Sequence, residues 1–100
     1  MAYLIDCVDK PDGDALRQQT RDAHLAYLTE NADRLLLAGA KWTDDGQTAL
    51  GSVLIVDVET REQAEAFAAA DPYSRAGLFE EVKVTHYRVA FLDRTNRLPA

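Results

Sequence analysis

The way the hydrophobic period changes along the chain constrains its fold more than any other feature. Ala2–Val8 reads AYLIDCV, a short aromatic and β-branched stretch that stops at Asp9, Pro11, Asp12 and Gly13. This predicts a first strand ended by a turn. From Asp14 the spacing becomes three and four: Leu16, Thr20, Ala23, His24, Tyr27 and Leu28 share one side, while Arg17, Gln18, Arg21, Asp22 and Glu30 take the other. That pattern predicts an amphipathic helix. Asp12 or Asp14 is placed to cap its first turn, and Asn31 with Asp33 marks its end.

Leu35–Trp42 is a second apolar run, broken at Asp44, Asp45 and Gly46, and Gly51–Val58 (GSVLIVDV) is the strongest strand signal in the chain. Valine and isoleucine pack well on a pleated surface, so these runs predict two strands around one hairpin loop. Thr60 followed by Gln63 is a capping-box pattern that starts a second helix through Ala64, Phe67 and Ala68, and Asp71-Pro72 ends it. Tyr73–Phe79 is expected to be a connector with a short helical turn. The alternation of Val82, Val84, Tyr87, Val89 and Phe91 predicts a last strand over Glu81–Phe91. Residues 1–92 then form one domain, and 93–100 a loose tail.

The order β-α-β-β-α-β predicts a ferredoxin-like α+β fold, a four-stranded antiparallel sheet with both helices on one face. The segments LIVDV and RLLLAGA are apolar on both sides, and two helices cover only one face of a sheet. A second copy is expected on the other face, giving a two-fold homodimer with the sheets packed together.

Composition narrows the function classes. The 100 residues, 47% hydrophobic, suit a single core, and 11 basic against 17 acidic side chains give a net charge of −6. That field repels phosphate backbones, and the arginines are scattered rather than clustered, so no nucleic-acid partner is expected. Cys7 is the single cysteine, which excludes a disulfide framework and a cysteine-based zinc site. His24 and His86 lack paired metal-ligand spacing, and there is no Gly-rich phosphate loop or serine nucleophile elbow; neither metal nor cofactor is expected. A start without a basic leader and the absence of a long apolar run predict a soluble, cytoplasmic protein with no membrane partner.

What remains for chemistry is a few polar groups beside apolar surface: His24 with Arg21 on the first helix, Asp71 after the second, and Ser52 at the head of a strand. Each has an ordinary structural reading. His24 suits a helix border, Asp71 caps a turn that starts at Pro72, Ser52 is a small strand residue and Arg21 is solvated. His86 is expected in packing or at an interface.

Four strings in register, RDAHLAYL (Arg21–Leu28), LLLAGA (Leu35–Ala40), GSVLIVDV (Gly51–Val58) and ADPYSRAGLFEEVKV (Ala70–Val84), resemble the YCII-related family of small dimeric α+β proteins. The resemblance runs from Ala2 to about Phe91 and departs at His86 and Tyr87 in the last strand. It implies a ferredoxin-like fold that pairs into a dimeric α/β barrel, similar to the muconolactone isomerase group. It also implies a His-Asp dyad: the histidine of the R-x-x-H-L pattern falls on His24, the aspartate of the D-P-aromatic pattern on Asp71, and the serine of the G-S strand start on Ser52. One branch of the family eliminates chloride from a chlorinated hydroxyhydroquinone.

Two functions of different classes follow. The first is a cofactor-independent lyase or isomerase acting on a small cyclic or aromatic molecule, with His24 as base and Asp71 as its orienter. Arg21 or Ser52 would then steady a developing oxyanion, with Tyr3, Tyr27, Trp42, Phe67, Tyr73 or Phe79 as flat walls. The second is a non-catalytic small-ligand-binding or dimeric protein-interaction module in which the same residues serve the fold.

Overall fold

The computed structural model describes residues 1–99. Its elements are β1 (Ala2–Asp9), α1 (Asp14–Glu30), a 3₁₀ turn (Ala32–Arg34), β2 (Leu35–Trp42), β3 (Ala49–Asp57), α2 (Arg61–Ala70), α3 (Pro72–Arg75), β4 (Phe79–Tyr87) and the short strands β5 (Phe91–Leu92) and β6 (Thr95–Asn96). The first four strands form one antiparallel sheet in the order β2-β3-β1-β4. This is the ferredoxin-like arrangement expected from the order of periods. Among the described residues no helix is long and apolar enough to cross a membrane.

The sheet has one covered face. Tyr3, Ile5 and Cys7 alternate inward along β1, with Leu54 and Val56 beside them on β3, and α2 closes the core with Ala64, Phe67 and Ala68. Leu4, Asp6 and Val8 take the opposite face, where Leu4 pairs with Ile55, and an Asp6–Lys41 ion pair of 2.8 Å crosses the surface. Gly51 allows β3 to approach β1, because a Cβ there would lie only 2.0 Å from the Cys7 carbonyl oxygen. Ser52 consequently sits opposite Cys7 and faces α1.

The capping box at α2 forms as expected. Thr60 Oγ1 accepts from the Gln63 amide at 3.1 Å, and Gln63 Oε1 accepts from the amides of Thr60 at 3.3 Å and Glu59 at 2.8 Å. The start of α1 differs from expectation: its cap is Gly13, with no side-chain bond. Gly13, not either aspartate, occupies the cap position. A Cβ on Gly13 would meet Leu78 Cδ1 at 2.9 Å, and Asp12 is turned into left-handed backbone at φ 60°.

The last strand also corrects the sequence reading. β4 ends at Tyr87, not Phe91; its last residue pairs with Ala2, where β1 begins. Within residues 93–100, expected to be a loose tail, Thr95–Asn96 instead folds back against Phe91–Leu92, turning through Asp93 and Arg94 at φ 54° and 64°. Positive φ at both central residues matches the right-handed twist of a two-residue hairpin.

Candidate active site

Helix α1 buries only two side chains, Arg17 and His24. Seven residues is close to two full turns, so both point from one face toward the sheet. This corrects the assignment of Arg17 to the solvent side, and Ala23, expected inward, is exposed. Arg17 is held by a fork of bonds. Nε donates to Asp9 Oδ2 at 2.8 Å, and Nη2 donates to Asp9 Oδ1 and to Ser52 Oγ, both at 2.9 Å. Burial alone would lower the pKa of the guanidinium, yet the bonds and charge of Asp9 outweigh it, and the net direction is upward. Arg17 is therefore a fixed cation.

His24 Nδ1 lies 2.8 Å from Asp71 Oδ1, with 7% and 1% of the two residues exposed. The same Oδ1 accepts the Tyr73 amide at 2.9 Å, as the cap of α3 with Pro72 in the first turn. The ordinary reading of Asp71 as a cap and its reading as the partner of His24 thus hold together on one oxygen. The cap fixes the carboxylate, and the carboxylate, an acceptor when ionised, fixes the ring with its proton on Nδ1.

Among the described residues no buried side-chain nitrogen or oxygen lacks a partner. The His24 ring bonds only through Nδ1, so Nε2 is the nitrogen left open, with its lone pair toward the cavity that the residue lines. Tyr73 buttresses this arrangement. Its ring stacks on His24 at 4.0 Å between centroids and 19° between planes, and the Arg17 Cζ lies 4.6 Å from its centre. Burial raises the Tyr73 phenol pKa against the opposing pull of Arg17, which keeps it a neutral hydroxyl. Cys7, opposite Ser52, has its thiol pushed up to about 12, first by burial and then by Asp71, so it is inert as a nucleophile.

The cavity has a volume of about 480 Å³ and lies between α1 and the edge strand β2, within the size range of small-ligand sites. Its β2 wall is Ala38, Gly39 and Ala40, whose small side chains leave the space that larger ones would fill. Trp42 stands at one side, and Ser52, Arg21 and Tyr73 join His24 in the lining. His24, Arg21, Ser52 and Tyr73 therefore line one cavity, with Asp71 bonded to His24.

The aromatic walls divide. Trp42 and Tyr73 line the cavity, whereas Tyr3 and Phe67 belong to the core and Tyr27 and Phe79 pack against it. His86 and Tyr87, where the family pattern is departed from, border a different hollow near the amino terminus and take no part in this wall. Among the described residues no group of three or more His, Cys, Asp or Glu could hold a metal ion. The sequence reading missed Arg17 and Asp9. Asp9 continues the inward alternation of Tyr3, Ile5 and Cys7, and Arg17 stands two turns before His24; those two spacings carried the signal.

A family model for the YCII-related domain matches residues 1–88. Among curated proteins, the chain is 39% identical over 98 residues to the protein YciI of Escherichia coli, covering 91% of this chain and 100% of that one. It is 33% identical over 98 residues to a protein of Haemophilus influenzae, with the same coverage. Among solved structures, it is similar to the 5-chloro-2-hydroxyhydroquinone dehydrochlorinase of Burkholderia phenoliruptrix, in complex with 2,5-dihydroxybenzoquinone. That match has a TM-score of 0.81 at 29% identity and covers 88% of this chain and 94% of the other.

Proposed function

The chain belongs to the family of YCII-related domains, and from that premise we propose that it is a cofactor-independent lyase or isomerase in which the His24–Asp71 dyad is the general base. The observation that carries this reading is the 2.8 Å bond from His24 Nδ1 to Asp71 at the edge of an open cavity. The substrate is a small cyclic or aromatic molecule with an acidic O–H, or a C–H beside a carbonyl. His24 Nε2 takes that proton, and Asp71 holds the ring's orientation and stabilises the imidazolium that forms. The electron pair left behind moves into the ring system. In a lyase the imidazolium first returns the proton to the chlorine-bearing ring carbon, giving its keto tautomer. Loss of a second O–H proton to His24 then drives the electron pair through the ring to expel chloride from that sp3 carbon, with net loss of one proton and the halide. In an isomerase the imidazolium returns the proton to a different carbon.

A positioned base supplies roughly 10²–10⁴-fold. Arg17 and Arg21 face the developing oxyanion, Ser52 positions Arg17 through its 2.9 Å bond, and Trp42 offers a flat wall to a ring, the faces of Tyr73 being taken by His24 and Arg17. The dehydrochlorinase named among the structural relatives supports the lyase form. The working assembly in this reading is a cytoplasmic homodimer that covers the open sheet face carrying Leu4, Leu37 and Ile55. Light scattering at micromolar concentration is expected to give twice the 11.1 kDa chain mass, and a strict monomer would contradict the pairing.

The test of the chemistry is chloride release from 5-chloro-2-hydroxyhydroquinone above the spontaneous rate. His24→Ala and Asp71→Asn are each expected to stay folded and to lose about 10²-fold or more. Full activity in both variants would end the proposal. A module that only binds would instead show no chemistry in any form, and His24→Ala would lower its stability by about 1–3 kcal/mol by leaving Asp71 without its partner.

A further inference from the structure

The chain carries 17 acidic residues against 11 basic ones, yet the lining of the cavity holds no carboxylate; its ionisable lining groups are Arg17, Arg21, His24 and the Tyr73 phenol. Two of these are balanced from behind. Arg17 is paired with Asp9, and His24 is backed by Asp71. Arg21 is different: it enters no ion pair among the described residues, and its side chain is exposed at the lining, one helical turn before His24. The one uncompensated charge on this cavity is positive and sits one helical turn from His24.

We propose that the cavity selects a flat, anionic ligand, a hydroxylated ring carrying a carboxylate or an ionised enol or phenol, and that Arg21 is the residue that selects for the charge. The inference rests on the functional reading above for where the ligand sits, between α1 and the small-residue wall of β2. It goes beyond that reading in fixing the ligand's charge. An Arg fork donates to two oxygens of a planar anion, and a neutral isostere leaves those donors without a charged partner. Protein net charge of −6 repels anions at long range, so the preference has to come from a local group and disappears with it.

Trp42 is the only tryptophan, is 54% exposed and lines the cavity, so its fluorescence reports occupancy directly. The experiment titrates the protein with 2,5-dihydroxybenzoate and with 2,5-dihydroxybenzamide, two flat rings of similar size that differ in charge. The carboxylate is expected to bind about tenfold or more tightly than the amide, from the strength of charge-assisted bonds. Arg21→Gln should bring the two within about threefold of each other, and Arg21→Lys should keep part of the preference. Equal affinities in the parent protein, an intact preference in Arg21→Gln, or no quenching by either probe up to ~10 mM would each overturn the proposal. The same titration in His24→Asn separates it from the catalytic reading. Anion preference kept in that variant, with turnover lost, supports both; a dyad needed for turnover in a protein indifferent to ligand charge sinks only this inference.

Discussion

The two long helices lie on the same face of one sheet and do opposite things there. α2 buries Ala64, Phe67 and Ala68 against Tyr3, Ile5 and Val56, a wholly apolar contact. α1 buries Arg17 and His24, and it stands off the Ala38-Gly39-Ala40 stretch of β2 across a cavity of about 480 Å³. α2 is held by burial of apolar area, whereas α1 adds to the packing of Tyr27 and Leu28 its directed bonds to Asp9, Ser52 and Asp71. The difference shows where a small domain can place a site: stability is concentrated at one end of the helical layer so that polar groups and a hollow are tolerated at the other.

The comparison can be broken at either end. Phe67→Ala should cost about 3–5 kcal/mol in a denaturant melt, since it empties the centre of the apolar half. A loss under about 1 kcal/mol would mean that α2 is not the stable half. Arg17→Met should cost a similar ~3–5 kcal/mol because it strands Asp9 without a cation, whereas the double change Arg17→Met with Asp9→Leu should recover most of it. Failure of the double variant to recover would assign net stability to the ion pair itself and weaken the contrast.

Cys7 sharpens the comparison through pH. Its thiol rises from an ordinary 9.0 to about 12 in the folded protein, so above pH 9 the unfolded chain releases a proton that the folded chain keeps. The stability this protects is whole below about 9 and is lost at roughly 1.4 kcal/mol per pH unit as pH climbs toward the folded value. Cys7→Ala should flatten that alkaline decline in urea melts across pH 8 to about 11, and an unchanged slope would place the thiol in a wetter setting. The smallest effect is Thr60→Ala, which removes the α2 cap and should cost about 1 kcal/mol without touching the cavity or ligand binding.

Much of this was legible in the residues. The alternation of periods two and 3.6 specified the order of elements, and the Thr60–Gln63 box gave the start of α2 because both partners are local. What escaped was set by distant contacts. At the cap of α1 a Cβ on Gly13 would meet Leu78, and β4 ends opposite Ala2, where β1 begins. In the site, His24, Asp71 and Ser52 were legible from a family pattern. Arg17 was not, because a charged residue on a helix is ordinarily solvated, and only Asp9 arriving from β1 makes its burial tolerable.

The central claim is that His24 and Asp71 act as one base. A double-mutant cycle on kcat for chloride release, using the parent, His24→Ala, Asp71→Asn and the double variant, tests it most directly. The account predicts that the double variant is no slower than His24→Ala alone, since the carboxylate works only through the ring. Losses that multiply, or an Asp71→Asn protein as fast as the parent, would contradict it.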